Sequence, residues 1–214
     1  MFCLFWLING VPYYFLIDDH RMKIYLASKS PRRRELLTQM GVEFDLLLVD
    51  TPEILFPNET VDSYSLRVTS EKLEAATAKI REDKLTIMPV LCADTEVVLS
   101  GTILGKPRNR EEAYQMLKSY SGQSHEVITS VGLAYLDYQK VVLQKTTVTF
   151  AQMTDAQINH YLDTGDYQDK SGSYGIQSYI GQFISRIDGC FYSVMGLPLN
   201  TVRQLLLDLK EIGL

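Results

Sequence analysis

Residues 23–37 read KIYLASKSPRRRELL, and the way this stretch divides decides the fold. Lys23 to Ala27 is a short apolar run of strand length. Ser28-Lys29-Ser30-Pro31 breaks it and opens a helix. Ser30 is the expected N-cap, and Pro31 takes the first helical position, where its missing N–H leaves no bond unmade. Leu36, Leu37 and Met40 supply one apolar face, and Gly41 closes the helix. Strand, tight turn and helix N-terminus in succession begin an α/β fold. The same turn sets free backbone N–H groups and the positive end of a helix beside Arg32, Arg33 and Arg34.

Beyond this unit the chain keeps alternating strand and helix signals, without repeats. Phe44 to Val49 reads as a strand that runs into an acidic, proline-containing loop from Asp50 to Asn58. The spacing of Val61, Tyr64, Val68, Ala75, Ala76 and Ile80 predicts a long helix from about Val61 to Arg81. Thr86 to Leu99 reads as a buried strand, turned at Ser100-Gly101 and returned by Ile103-Leu104. Pro107 and Asn109 cap a helix through Tyr120. Two strands, Glu126 to Leu136 and Val141 to Phe150, are joined by Asp137-Tyr138-Gln139. Thr154 caps a helix to about Thr164, with Gly165 as its stop. A Gly- and Tyr-rich loop, Asp166 to Gln177, leads to a strand near Phe183 to Ile187, a turn at Asp188-Gly189 and a last helix after Pro198. The hairpins favour a mixed sheet over a fully parallel one. Residues 22–214 are expected to form a single domain of two lobes sharing that sheet.

Residues 1–21, MFCLFWLINGVPYYFLIDDHR, stand apart. No Lys or Arg precedes the apolar run and no small-residue cleavage pattern follows, so it does not read as a signal peptide. Asn9, Gly10 and Pro12 interrupt it, which argues against a spanning helix. The expectation is an apolar leader or extension before a start at Met22; the rival is an extra strand or hairpin turning at Asn9-Gly10.

Composition limits the partners. Lys plus Arg is 21 against 26 for Asp plus Glu, a formal charge of −5, which argues against a general nucleic-acid binder. Cys3, Cys92 and Cys190 are far apart and odd in number, so a reducing setting is expected rather than a disulfide scaffold. His20, His125 and His160 have no zinc-ligand spacing.

Several short stretches carry chemistry. In SKSPRRRE, residues 28–35, cations at a helix N-terminus oppose the dipole, a conflict that a bound anion removes. A solvated basic turn is the plain alternative. In CADT, residues 92–95, Asp94 lies inside an apolar strand, where a carboxylate is costly unless paired, solvated or useful. It reads as metal ligand or general base, or else as a strand-end carboxylate bonded to loop amides. Glu96 reads as its solvated neighbour. GTILGKP, residues 101–107, is one residue short of a phosphate loop and has Pro107 where a hydroxyl is needed, leaving Lys106 as a lone cation. In DKSGSYGIQ, residues 169–177, Gly172 and Gly175 allow close backbone approach, Lys170 brings charge, and Gln177 offers donor and acceptor to a base edge. Lys72, on the long helix, reads alone as a surface charge. Scattered cations, two acids and one amide together suit a small polyphosphate with a divalent ion.

At these residues the chain resembles the Maf family of nucleoside triphosphate pyrophosphatases. The match runs from about Met22 to Leu207 through LASKSPRRRELL, Glu71-Lys72, Ala93-Asp94-Thr95, GKPR (105–108), SGQSH (121–125), DKSGSYGIQ and VMGLP (194–198). The resemblance implies a Maf/ITPase-like two-lobed α/β fold, with a long mixed β-sheet flanked by helices and a cleft between the lobes. It implies a cytoplasmic homodimer using a divalent cation, Mg²⁺ first, with Mn²⁺ or Co²⁺ as substitutes. The reaction implied is hydrolysis between the α and β phosphates to nucleoside monophosphate and pyrophosphate. Asp94 matches the catalytic acid and, with Glu53, the metal ligands. Arg33, Lys72 and Lys106 match triphosphate-binding cations, with Ser28, Ser30, Arg32 and Lys170 beside the phosphates. Arg32, Thr95 and Gln177 occupy the positions that distinguish members acting on dTTP and UTP, with modified pyrimidine triphosphates beside them. Cys92, Glu96, Pro52-Glu53 and Thr69-Ser70 depart from the usual pattern. The expected role is housecleaning of nucleotide pools; the alternative is a non-enzymatic nucleotide-sensing or cell-division (septum) regulatory protein. No nucleic-acid or membrane partner is expected.

Overall fold

In the computed structural model, which describes residues 22–211 and a short strand pair at 7–8 and 11–12, the apolar runs become the strands of one mixed sheet. The short pair, β1 (Leu7–Ile8) and β2 (Val11–Pro12), is antiparallel, with Ile8 opposite Val11. Whether residues 1–21 act as a leader, or turn at Asn9-Gly10, lies outside the described residues.

The first unit forms as its sequence dictates: β3 (Lys23–Leu26), α1 (Pro31–Gln39) and β4 (Glu43–Leu46), with β4 parallel to β3. There follow α2 (Val61–Glu82), β5 (Val90–Leu99), β6 (Thr102–Leu104), α3 (Arg110–Tyr120), β7 (Ser124–Tyr135) and β8 (Tyr138–Phe150). The chain continues through α4 (Asp155–Asp163), two 3₁₀ turns at Ser171–Ser173 and Tyr179–Phe183, β9 (Ile184–Asp188), α5 (Phe191–Val194) and α6 (Leu199–Glu211). Strand order is β4-β3-β5-β7-β8-β9, and β6 joins β5 at one end. The pairs of β3 with β4 and β5 are parallel and the others antiparallel, as the hairpins required.

Side-chain alternation along β5 divides the core. Val90 and Cys92 pack with Leu73, Ala76 and Ile80 of α2 on one face. Leu91 and Ala93 pack with Leu36 and Leu37 of α1 and Val202 and Leu205 of α6 on the other. A third cluster lies where β5, β7 and β8 run on against α3 and α4, around Tyr120, Phe150 and Tyr161. The first two clusters and the third are the two lobes, and β5, β7 and β8 run through both.

Two local expectations are corrected, and one element is added. Strand β5 starts at Val90 rather than Thr86, because Pro89 cannot donate to a ladder; Ile87 is left exposed. The β7–β8 turn is Leu136-Asp137, with Tyr135 paired to Tyr138 and Leu136 at positive φ, so Tyr138 and Gln139 belong to the strand. The single turn α5 has too few residues to show a period. Among the described residues no helix is long and apolar enough to cross a membrane.

Candidate active site

The sheet leaves a notch at Asp94. One edge of β5 is paired to β7 from Val90 to Val98. On its other edge β3 reaches only Val90 and Leu91, and β6 takes up again at Val97. Cys92 to Glu96 thus keep an edge that no described strand covers. Alternation sends Cys92, Asp94 and Glu96 toward α2, and Ala93 and Thr95 toward α1.

On the α2 side Lys72 donates to Asp94 Oδ2 at 2.9 Å and pairs with Glu53 Oε1 at 2.6 Å. Only 13% of the Lys72 side chain is exposed, so it is not the surface charge it seemed when read alone. Burial acts against its proton, but Asp94 and Glu53 outweigh that and raise its pKa. Asp94 Oδ1 accepts the Thr95 N–H at 3.1 Å, which fixes the carboxylate at the notch. Glu53 is more exposed and arrives on the loop between β4 and α2.

Arg67 holds that loop. Its guanidinium makes two 2.7 Å contacts with the Glu59 carboxylate, donates to the Ile54 carbonyl at 2.9 Å, and lies 4.0 Å over the Phe56 ring. It also reaches Glu71 at 3.0 Å, so the Glu71 of the Glu71-Lys72 pair anchors the anchor. Arg67 was not singled out from sequence. Its signal was an arginine one turn before Glu71 on a helix facing a loop rich in carboxylates.

On the α1 side Arg33 stands in the first turn, against the helix dipole as expected. Its donors go to the Gly196 carbonyl at 2.8 Å, Ser28 Oγ at 3.2 Å and Thr95 Oγ1 at 3.1 Å. Thr129 gives its only hydroxyl proton to the Ser193 carbonyl at 2.7 Å, so Thr95 donates onward to Thr129. Gly196 has φ +104, a backbone conformation that residues with a side chain rarely adopt. A residue with a side chain is strained there, which explains the glycine of VMGLP. Ser28, buried, also accepts the Ser30 N–H at 3.2 Å, while the Ser30 side chain makes no cap bond. Ser30 is the N-cap residue of α1, as expected, but its hydroxyl makes no capping bond, and Ser28 takes the N–H of Ser30 itself rather than one from the first turn. Arg32 is half-buried without a side-chain partner among the described residues; burial and the neighbouring Arg33 charge lower its pKa.

The remaining candidates share no hydrogen bond or ion pair with this knot among the described residues. Lys106 and Gln177 are exposed and unpartnered among the described residues. Lys170 turns to Asp166, contacting its carbonyl and, at 2.9 Å, its carboxylate. Glu96 is corrected: it is 5% exposed rather than solvated. Ser65 donates to it at 2.8 Å. Burial and then the Asp94 charge push its carboxyl above the usual carboxylate range.

Among the described residues no three Asp, Glu, His or Cys side chains form a ready cage for a metal. Asp94 and Glu53 instead converge on one ammonium, leaving net negative charge. A hard divalent ion that takes most of its shell from substrate phosphates and water fits such a pair.

The family model described as Maf-like protein matches residues 23–209, which hold every contact above. The chain belongs to the Maf family. Curated Maf relatives named dTTP/UTP pyrophosphatase align over most of its length. That of Photobacterium profundum is 46% identical over 180 residues, 83% of this chain and 92% of the relative. That of Bdellovibrio bacteriovorus is 45% identical over 185 residues, 86% of this chain and 96% of the relative. One from Escherichia coli (strain UTI89) is 44% identical over 189 residues, 88% and 94% of the two chains. Among solved structures the Ham1 protein of Staphylococcus aureus aligns at a TM-score of 0.38 and 12% identity, over 60% of this chain and 72% of that one. That likeness is too weak to argue from.

Proposed function

We propose that this Maf chain is a nucleoside triphosphate pyrophosphatase acting on dTTP and UTP. The observation that carries the reading is the uncovered stretch of β5, with Asp94 at its centre, a buried lysine on one face and Arg33 and Arg32 by the other. The relatives' names support the substrate class.

In this reading water attacks the α-phosphorus, the bond to the α–β bridging oxygen breaks, and pyrophosphate leaves with the electron pair. Asp94 accepts the water proton; Lys72 and the Thr95 N–H hold its two oxygens in place. Arg33, aimed by three fixed acceptors, and the exposed Lys106 stabilise charge gathering on the leaving pyrophosphate. Asp94 and Glu53 would hold a divalent ion, Mg²⁺ or in its place Mn²⁺ or Co²⁺, which supplies Lewis acidity. Thr95, Arg32 and Gln177 would face the ribose and base, with Ser28, Ser30 and Lys170 in supporting contacts. The same reading takes a homodimer in the cytoplasm and residues 1–21 as an extension outside the catalytic domain.

Purified protein incubated with a panel of nucleoside triphosphates and each metal should release pyrophosphate fastest from dTTP and UTP. Nucleotide binding with no release from any triphosphate would favour the sensing alternative. Release chiefly from purine triphosphates would overturn the subclass.

A further inference from the structure

The SGQSH motif and the end of α3 have no part in the chemistry above, yet they meet the two loops that carry Lys106 and Gln177. Tyr120, fully buried, donates its hydroxyl to the Gly172 carbonyl at 3.1 Å. The Gly172 N–H donates in turn to the Gly105 carbonyl at 3.0 Å, one residue before Lys106. Gly172 has φ +68, and a Cβ there would stand 2.7 Å from the Tyr120 hydroxyl and 2.8 Å from Val97. Backbone and phenol thus approach as closely as they can. Below this junction the Tyr120 ring packs at 4.5 Å from His125, whose Nε2 is 2.7 Å from the Tyr174 hydroxyl. Tyr174 and Ile176 are buried while Gln177 is exposed, so the loop is nailed down from inside and presents its amide outward.

We propose that Tyr120 is a positioning residue for substrate selection. Its hydroxyl, through Gly172, holds the Gln177 loop against the Lys106 loop, so that base and phosphate contacts form at one fixed spacing. The inference rests on the pyrophosphatase reading and adds to it how the two halves of recognition are tied together.

Tyr120→Phe removes only the hydroxyl. The KM for dTTP should rise about tenfold, the worth of roughly one net hydrogen bond, with kcat within twofold. Inhibition by tripolyphosphate, which has no base to place, should stay within twofold of the parent. A dTTP KM within twofold of the parent, or an equal loss for tripolyphosphate, overturns the proposal. Tyr174→Phe, which spares the Gly172 link, should lower the melting temperature without changing the ratio of dTTP KM to tripolyphosphate inhibition constant. A change like that of Tyr120→Phe counts against Tyr120. The unaltered chain gives a test that needs no variant. Saturating tripolyphosphate should slow exchange of the Gly172 amide, which bonds the Gly105 carbonyl, at least threefold and more than that of Lys170, and no slowing at Gly172 overturns the link. If the unaltered chain releases no pyrophosphate, the pyrophosphatase reading falls, while the exchange measurement still decides the link.

Discussion

The two sides of the notch in β5 are built on opposite plans. Toward α1 and α2 the functional side chains are tied into the fold: Lys72 to two carboxylates, Arg33 to three acceptors, Asp94 by both oxygens. Arg32 alone there lacks a side-chain partner among the described residues. Toward α3 and the 169–177 loop, Lys106 and Gln177 are exposed and hold nothing. One side is organised before substrate arrives, and the other is completed by it. Groups on the first side should therefore govern turnover, and those on the second should govern affinity and choice.

Asp94→Asn is the strongest test. Turnover should fall about 10³-fold while triphosphate binding by calorimetry stays within a few-fold, in line with loss of a general base; an active variant breaks the assignment. Lys72→Met should cost about 10²-fold in kcat, because Asp94 and Glu53 then repel one another. A change confined to KM would move Lys72 to the other side of the comparison.

A different contrast, between the two lobes' cores, appears with pH. Burial lowers the His125 pKa from 6.5 to about 4. The unfolded chain therefore takes up a proton near pH 6.5 that the folded one refuses until about 4. Stability from this group is present above 6.5 and is lost as pH falls through that window, by up to about 3 kcal/mol. Urea midpoints should drop accordingly, and less in His125→Gln.

On the selective side, Gln177→Glu should weaken dTTP and UTP use about tenfold through KM, with kcat little changed. The smallest effect is expected from Arg67→Ala. It frees the loop carrying Glu53 and should raise the metal concentration for half-maximal activity a few-fold. Isothermal titration of metal alone provides the second readout. An unchanged titration would mean that Glu53 does not depend on its loop.

Much of this was legible in one sequence. Residues 23–41 gave strand, turn and helix because an apolar run, a proline and a closing glycine act locally. The placement of α2 and of the hairpins followed from periodicity. What stayed hidden depended on contacts across the chain. Glu96 looked solvated beside Asp94, and only the packing of Ser65 on α2 shows that its oxygen is enclosed. Nothing near Arg33 foretold that its main acceptor is the carbonyl of Gly196, 163 residues away. Ser30 and Ser28 look equivalent in SKS; the fold turns one inward and leaves the other without a cap bond.

One consequence concerns oxidation. Cys92 lies two residues before Asp94 on the same face of β5, so in the proposed reading a modified sulfur there would disturb the carboxylate. It is fully buried, its thiol donates to the Thr69 carbonyl at 3.3 Å, and burial pushes its pKa up to about 12. Peroxides and alkylating agents attack the thiolate, which is scarcely populated there at neutral pH. The Cys92 sulfur is thus shielded, although the strand that holds it also carries Asp94. The strand can hold a cysteine two residues from Asp94 while offering oxidants almost no thiolate.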